Sequence, residues 1–90
     1  MGHWLAEIRV DLRPGLADPE GSTVTDALHA LGYASVHSVR FGKLMRVRFD
    51  ADNSAEAEQL VGDMVGRLLA NPVMEVANWE VHPENPEGAA

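Results

Sequence analysis

The chain has ninety residues, 46% of them hydrophobic, which is enough for one small domain and too few for two. Its formal net charge of -7 would repel a phosphate backbone, which argues against nucleic acid as a partner. The absence of cysteine excludes disulfide scaffolds, thiolate nucleophiles and cysteine-based zinc sites. No apolar run approaches the roughly 18 residues needed to cross a bilayer, and Met1-Gly2-His3-Trp4 does not open as a signal peptide, so a cytoplasmic location is expected.

Residues 4–12 alternate strictly: Trp4, Ala6, Ile8, Val10 and Leu12 share one face and Glu7, Arg9 and Asp11 the other. Period two with one polar face predicts an antiparallel strand packed on one side. Arg13-Pro14-Gly15 ends it. Asp18-Pro19-Glu20 then opens a helix, with Asp18 as N-cap and Pro19 at the first helical position. Val24, Ala27, Leu28 and Leu31 form its apolar stripe, and Gly32 supplies the left-handed residue that stops it.

Residues 36–41 and 44–50 read as two short strands joined at Gly42-Lys43, a glycine-led connection suited to a tight hairpin. Asp52-Asn53-Ser54 caps a second helix, with Glu56 in capping-box spacing from Asn53. Its buried stripe is expected to run through Ala57, Leu60, Val61, Met64, Leu68 and Leu69, until Asn71-Pro72 stops it. A last strand over 73–82 carries Ala77, Trp79 and Val81 on one face, with a bulge at Val73-Met74. Residues 1–82 thus make a single domain, and 83–90 read as a polar, disordered tail.

The order β-α-β-β-α-β predicts an α+β fold. An antiparallel sheet would carry both helices on one face, in the ferredoxin-like arrangement or a variant of it. The other face keeps the polar sides of the strands plus Leu5 and Leu44.

Catalytic chemistry is hard to find. His3, His29, His37 and His82 are scattered without ligand spacing, and Ser22, Ser35, Ser38 and Ser54 fall at caps, turns or short strands. No catalytic, cofactor-binding or metal-ligating residue is therefore assigned. Two groups stand out: the basic stretch Arg40-Phe41-Gly42-Lys43 with Arg46 and Arg48, which holds four of the seven cationic residues, and Leu68-Leu69-Ala70-Asn71-Pro72-Val73. Each has a plain structural explanation, edge-strand protection for the first and a helix stop for the second.

Three segments in order, Asp18-Pro19-Glu20-Gly21, Val39-Arg40-Phe41-Gly42-Lys43 and Leu68-Leu69-Ala70-Asn71-Pro72-Val73-Met74-Glu75, with Gly32-Tyr33 between the first two, closely resemble the PurS family. The family comprises subunits of phosphoribosylformylglycinamidine synthase, and the resemblance spans residues 4–82. It implies a non-catalytic small subunit in de novo purine biosynthesis. Such a subunit bridges a glutaminase subunit and a large ATP-dependent synthetase subunit, which holds ATP and Mg²⁺, and assists ammonia transfer between them. It also implies a homodimer or homotetramer, formed here through the outer edges or polar faces of the first and last strands. Arg40, Gly42, Lys43 and Asn71 are the expected partner-docking residues, with Gly42 serving the turn; Asp18, Pro19 and Gly21 are the expected structural motif. Two other readings share the topology. An acylphosphatase-like enzyme would use Arg13, but the phosphate cradle and the Asn-bearing strand of that family are missing. An ACT-type ligand-sensing domain would place a ligand turn at Arg13-Pro14-Gly15.

Overall fold

A computed structural model of the chain describes residues 2–84. The elements in order are β1 (Gly2–Leu12), α1 (Pro19–Ala30), β2 (Gly42–Ala51), α2 (Ser54–Met64), one π-helical turn (Val65–Leu69) and β3 (Glu75–Pro83). The strands form one antiparallel sheet in the order β2-β1-β3. The α+β class and the antiparallel sheet follow the alternation seen in the sequence.

The alternating strand is the central one. Ile8 stands opposite Met45 on one side and Trp79 on the other. Ala6, Ile8 and Val10 are completely or almost completely buried, and α2 lies over them with Ala57, Val61 and Val65. Met45, Val47 and Phe49 of β2, and Ala77, Trp79 and Val81 of β3, flank this core half-covered. The two indoles find partners at the rim: Trp4 donates to the Ala51 carbonyl at 3.2 Å and Trp79 to Glu58 at 3.2 Å. Because β1 is bonded on both sides, it has no free edge. A dimer built on the edge of the first strand is thereby excluded; the free edges belong to β2 and β3.

The predicted hairpin does not form. Residues 36–41 are extended but belong to no strand, and Gly42 begins β2 instead of turning. Positive φ is confined to Gly15 and Gly32 among the described residues, so Gly42 does not adopt the left-handed conformation a glycine-led hairpin turn needs. Residues 36–41 lead into β2 without pairing in the sheet. Only α2 is seated on the sheet in this chain. α1 leads away from it, and of α1's residues Gly21 alone is buried.

Both helix starts match their sequence signals. Asp18 accepts from the Gly21 N–H at 2.9 Å, and Asn53 accepts from the Glu56 N–H at 2.9 Å. The second helix ends earlier than its stripe implies. After Met64 the backbone widens into the π turn, closed by the Ala70 N–H on the Val65 carbonyl at 3.2 Å. The extra residue per turn rotates the register, and Leu68 ends 83% exposed instead of buried. Val73 and Met74 lie in the turn before β3, not in a bulge of it. Of the tail expected over 83–90, Pro83 closes β3 and Glu84 bonds back to His3 and Arg48; residues 85–90 lie outside the described part.

Ile8 is the keystone of the core, since it is fully buried between both neighbouring strands and α2. Truncating Ile8→Ala should cost about 2–5 kcal/mol, a large share of a small domain's stability. The urea midpoint should fall accordingly, whereas Arg9→Ala on the exposed face should shift it little.

A candidate docking end built around Asp18

The motif residues meet at one end of the sheet, where β1 finishes and β2 and β3 begin. Asp18 is the centre of the cluster. The residue is only 8% exposed, and its carboxylate accepts from two N–H groups: that of Gly21, in the first turn of α1, and that of Phe41 at 2.7 Å, just before β2. The hydrogen bond from Phe41 is the main reason its pKa lies below the usual aspartate range; the bond from Gly21 and the nearby Arg40 charge add to the effect.

Gly21 is required by close approach. A Cβ there would run into the Val39 carbonyl oxygen, and lie 3.1 Å from the Asp18 carboxyl carbon. Arg40 turns its guanidinium inward, donating to the carbonyls of Leu16 at 2.6 Å and Arg13 at 3.3 Å. Arg13 in turn donates to the Pro72 carbonyl at 2.6 Å, and its own N–H bonds the Met74 carbonyl at 2.9 Å. Two guanidiniums thus tie the base of α1, the end of β1 and the turn before β3 into one unit.

Lys43 and Asn71 join the same cluster through Glu75. The Lys43 ammonium lies 3.7 Å from one oxygen of Glu75, while the Asn71 N–H donates to the other at 2.8 Å. The Asn71 side chain also accepts from the Val73 N–H at 3.0 Å, fixing the turn. All four residues singled out as docking candidates therefore occupy one end of the molecule. Arg40, Gly42 and Asn71 shape the backbone there, and Lys43 alone projects, its side chain 65% exposed. Around them lie exposed apolar side chains: Phe41, Leu68, Val73 and Met74. An open groove of about 300 Å³ runs between Val10, Leu12, Phe41, Lys43 and Glu75.

Sequence reasoning missed Arg13 as a structural tie, because its partner is a carbonyl 59 residues away. With that guanidinium already bonded to Pro72, Arg13 is turned away from the phosphate-binding role an acylphosphatase would require. Among the described residues no group of three or more histidines and carboxylates converges to hold a metal ion. Among the same residues no helix is long and apolar enough to cross a membrane.

A family model described as PurS, phosphoribosylformylglycinamidine (FGAM) synthase, matches residues 5–83. The chain belongs to the PurS family. The Archaeoglobus fulgidus synthase subunit PurS is 38% identical over 71 residues, covering 79% of this chain and 89% of the relative. The crystal structure of Methanocaldococcus jannaschii PurS superposes with a TM-score of 0.80 at 29% identity, over 91% of this chain and 99% of that one. A chain of the PurLQS structure from Thermotoga maritima superposes with a TM-score of 0.78 at 30% identity, over 93% and 100%. As a PurS subunit, the chain is a component of FGAM synthase in purine biosynthesis. The three sequence segments that resemble PurS are thus the segments that build the Asp18 cluster.

Two measurements test the cluster. Gly21→Ala gains up to about 1 kcal/mol in helix propensity but loses about 1–3 kcal/mol to overpacking against backbone, so it should destabilise. Gly42→Ala should be milder in a thermal melt, because its Cβ would meet chiefly the movable carboxylate of Asp11. For pH, the depressed pKa of Asp18 means that its stabilisation is full above the unfolded value of about 3.9 and is lost as pH falls through the lower folded value. The stability gap between wild type and Asp18→Asn should therefore narrow below about pH 4; a gap independent of pH in urea titrations would contradict this.

Proposed function

We propose that this chain is the non-catalytic small subunit that bridges the glutaminase and the ATP-dependent synthetase of the FGAM synthase complex in the cytoplasm. In this reading ATP and Mg²⁺ belong to the large partner subunit, and the bridging unit is a homodimer or homotetramer. The observation that carries the reading is the match over nearly the whole chain to a component of the Thermotoga maritima PurLQS assembly. The character of the Asp18 end supports it too: it offers exposed apolar side chains and one projecting cation.

The chemistry explains what such a subunit contributes. Ammonia released by a glutaminase takes up a proton in neutral water, and ammonium is not a nucleophile. Holding two active sites together shortens the exposure of free ammonia and raises its effective concentration at the acceptor. A bridging subunit supplies this by geometry alone. Arg40, Gly42 and Asn71 set the shape of the docking end, and Lys43 meets an acidic partner surface.

Reconstitution tests the reading. With glutaminase and synthetase subunits, glutamine and nucleotide present, omitting the chain should abolish most glutamine-dependent activity, while high ammonium chloride should still support turnover. Equal loss of both activities would mean that the chain acts on the chemistry itself. Lys43→Ala should weaken co-purification with the partners while leaving the circular dichroism spectrum of the chain unchanged.

A further inference from the structure

The far edge of the sheet, along β3, is left open in a specific way. The Arg13 N–H bonds the Met74 carbonyl, and the Glu84 N–H bonds the His3 carbonyl. Both pairs continue the β1–β3 register, and in an antiparallel ladder the bonded pairs alternate. The backbones of Val76, Asn78, Glu80 and His82 therefore face β1, and those of Ala77, Trp79 and Val81 face outward. Pro83 falls on the outward set, where its missing N–H costs nothing. At the other end the Glu75 N–H is satisfied by the Asn71 carbonyl at 2.7 Å. Between these two stops the N–H groups of 77, 79 and 81 find no backbone acceptor among the described residues. Open edges of this kind are templates for another strand.

The surroundings of the edge say what it would accept. On the inner face a groove of about 280 Å³ runs between the π turn and β3, lined by Val65, Gly66, Ala70, Pro72, Ala77 and Trp79. A Cβ at Gly66 would meet nothing within 4 Å outside its own turn, so the groove has room for small apolar side chains. On the outer face one row of residues crosses the sheet as Arg46, Glu7 and Glu80. Arg46 lies 3.5 Å from Glu7, while Glu80, 78% exposed, meets only His82 of its own strand at 3.3 Å. Two carboxylates stand directly opposite each other there, and a cation on a next strand would relieve them. A second copy of β3 does not supply it, because residues 75–83 carry two glutamates and no Lys or Arg.

We infer that the open edge of β3 takes an extended segment of one of the two catalytic subunits as a fourth strand. The segment places small apolar residues into the groove beside Gly66 and a Lys or Arg opposite Glu80. Its backbone bonds the outward groups of Ala77, Trp79 and Val81, which is the mode of recognition by strand addition. The inference rests on the bridging role proposed above and assigns one of its contacts.

Hydrogen–deuterium exchange on the chain, free and with the glutaminase and synthetase subunits present, tests it. In the free chain the amides of Ala77, Trp79 and Val81 should exchange fast, and in the complex they should slow at least about tenfold. Two surface variants add a second readout: Gly66→Leu fills the groove and Glu80→Arg reverses the charge. Each should weaken binding to the same catalytic subunit at least about tenfold, with the circular dichroism and sedimentation of the free chain unchanged. A complex in which these three amides exchange as fast as in the free chain would overturn strand addition and leave the bridging role standing. A chain that binds neither subunit would overturn the bridging role, and the inference with it. Protection of the three amides that grows with the concentration of the chain alone would place a second copy on the edge and overturn the assignment.

Discussion

One carboxylate holds the structure together. Asp18 accepts at once from the N–H that begins α1 and from the N–H that precedes β2, two backbone positions about twenty residues apart in the chain. A neutral side chain of the same size offers weaker acceptance, and hydrogen bonds to a charged acceptor are roughly twice as strong as neutral ones. The clasp ties together both ends of the intervening segment, α1 and the stretch after it. The glycine at position 21 is what lets the Val39 carbonyl come close enough for the clasp to close.

The rest of the end of the molecule is organised around that clasp. Arg40 donates to the Leu16 and Arg13 carbonyls and Arg13 to that of Pro72, and so they join the base of α1 to the turn that carries Asn71, Val73 and Met74. Glu75 performs a similar role between Lys43 and Asn71. A small domain with one helix on a three-stranded sheet buries little apolar surface. Ties of this kind between distant backbone positions recover part of the missing stability. In the role proposed for it, placing the other subunits of FGAM synthase, fixed geometry at the contact is what would make proximity effective.

Much of the fold was legible in the residues. Strict alternation in 4–12 identified a strand with one buried face, and Asp18 and Asn53 marked both helix starts, because these signals act over a few residues and need no distant partner. The docking candidates were legible as unusual residues, but their grouping was not. That Arg40, Gly42, Lys43 and Asn71 share one end depends on sheet order, which local pattern does not encode. Leu68 was misplaced for a related reason: a helical stripe is extrapolated at about 3.6 residues per turn, and the π turn at Val65–Leu69 breaks that period.

By itself, the sequence determined β1, β2 and β3, both helix starts with their caps, the absence of cysteine chemistry and the family to which the chain belongs. Each of these is written in short-range periodicity, composition or a linear motif. Only the tertiary structure decided that β1 is central, that the basic stretch runs straight through Gly42, and that α1 leaves its own sheet. Those outcomes turn on contacts between residues far apart in the chain, which local pattern does not encode. At Asp18 a side chain binds the Phe41 N–H twenty-three residues away, and at Gly42 the backbone enters β2 without the left-handed turn a hairpin would need.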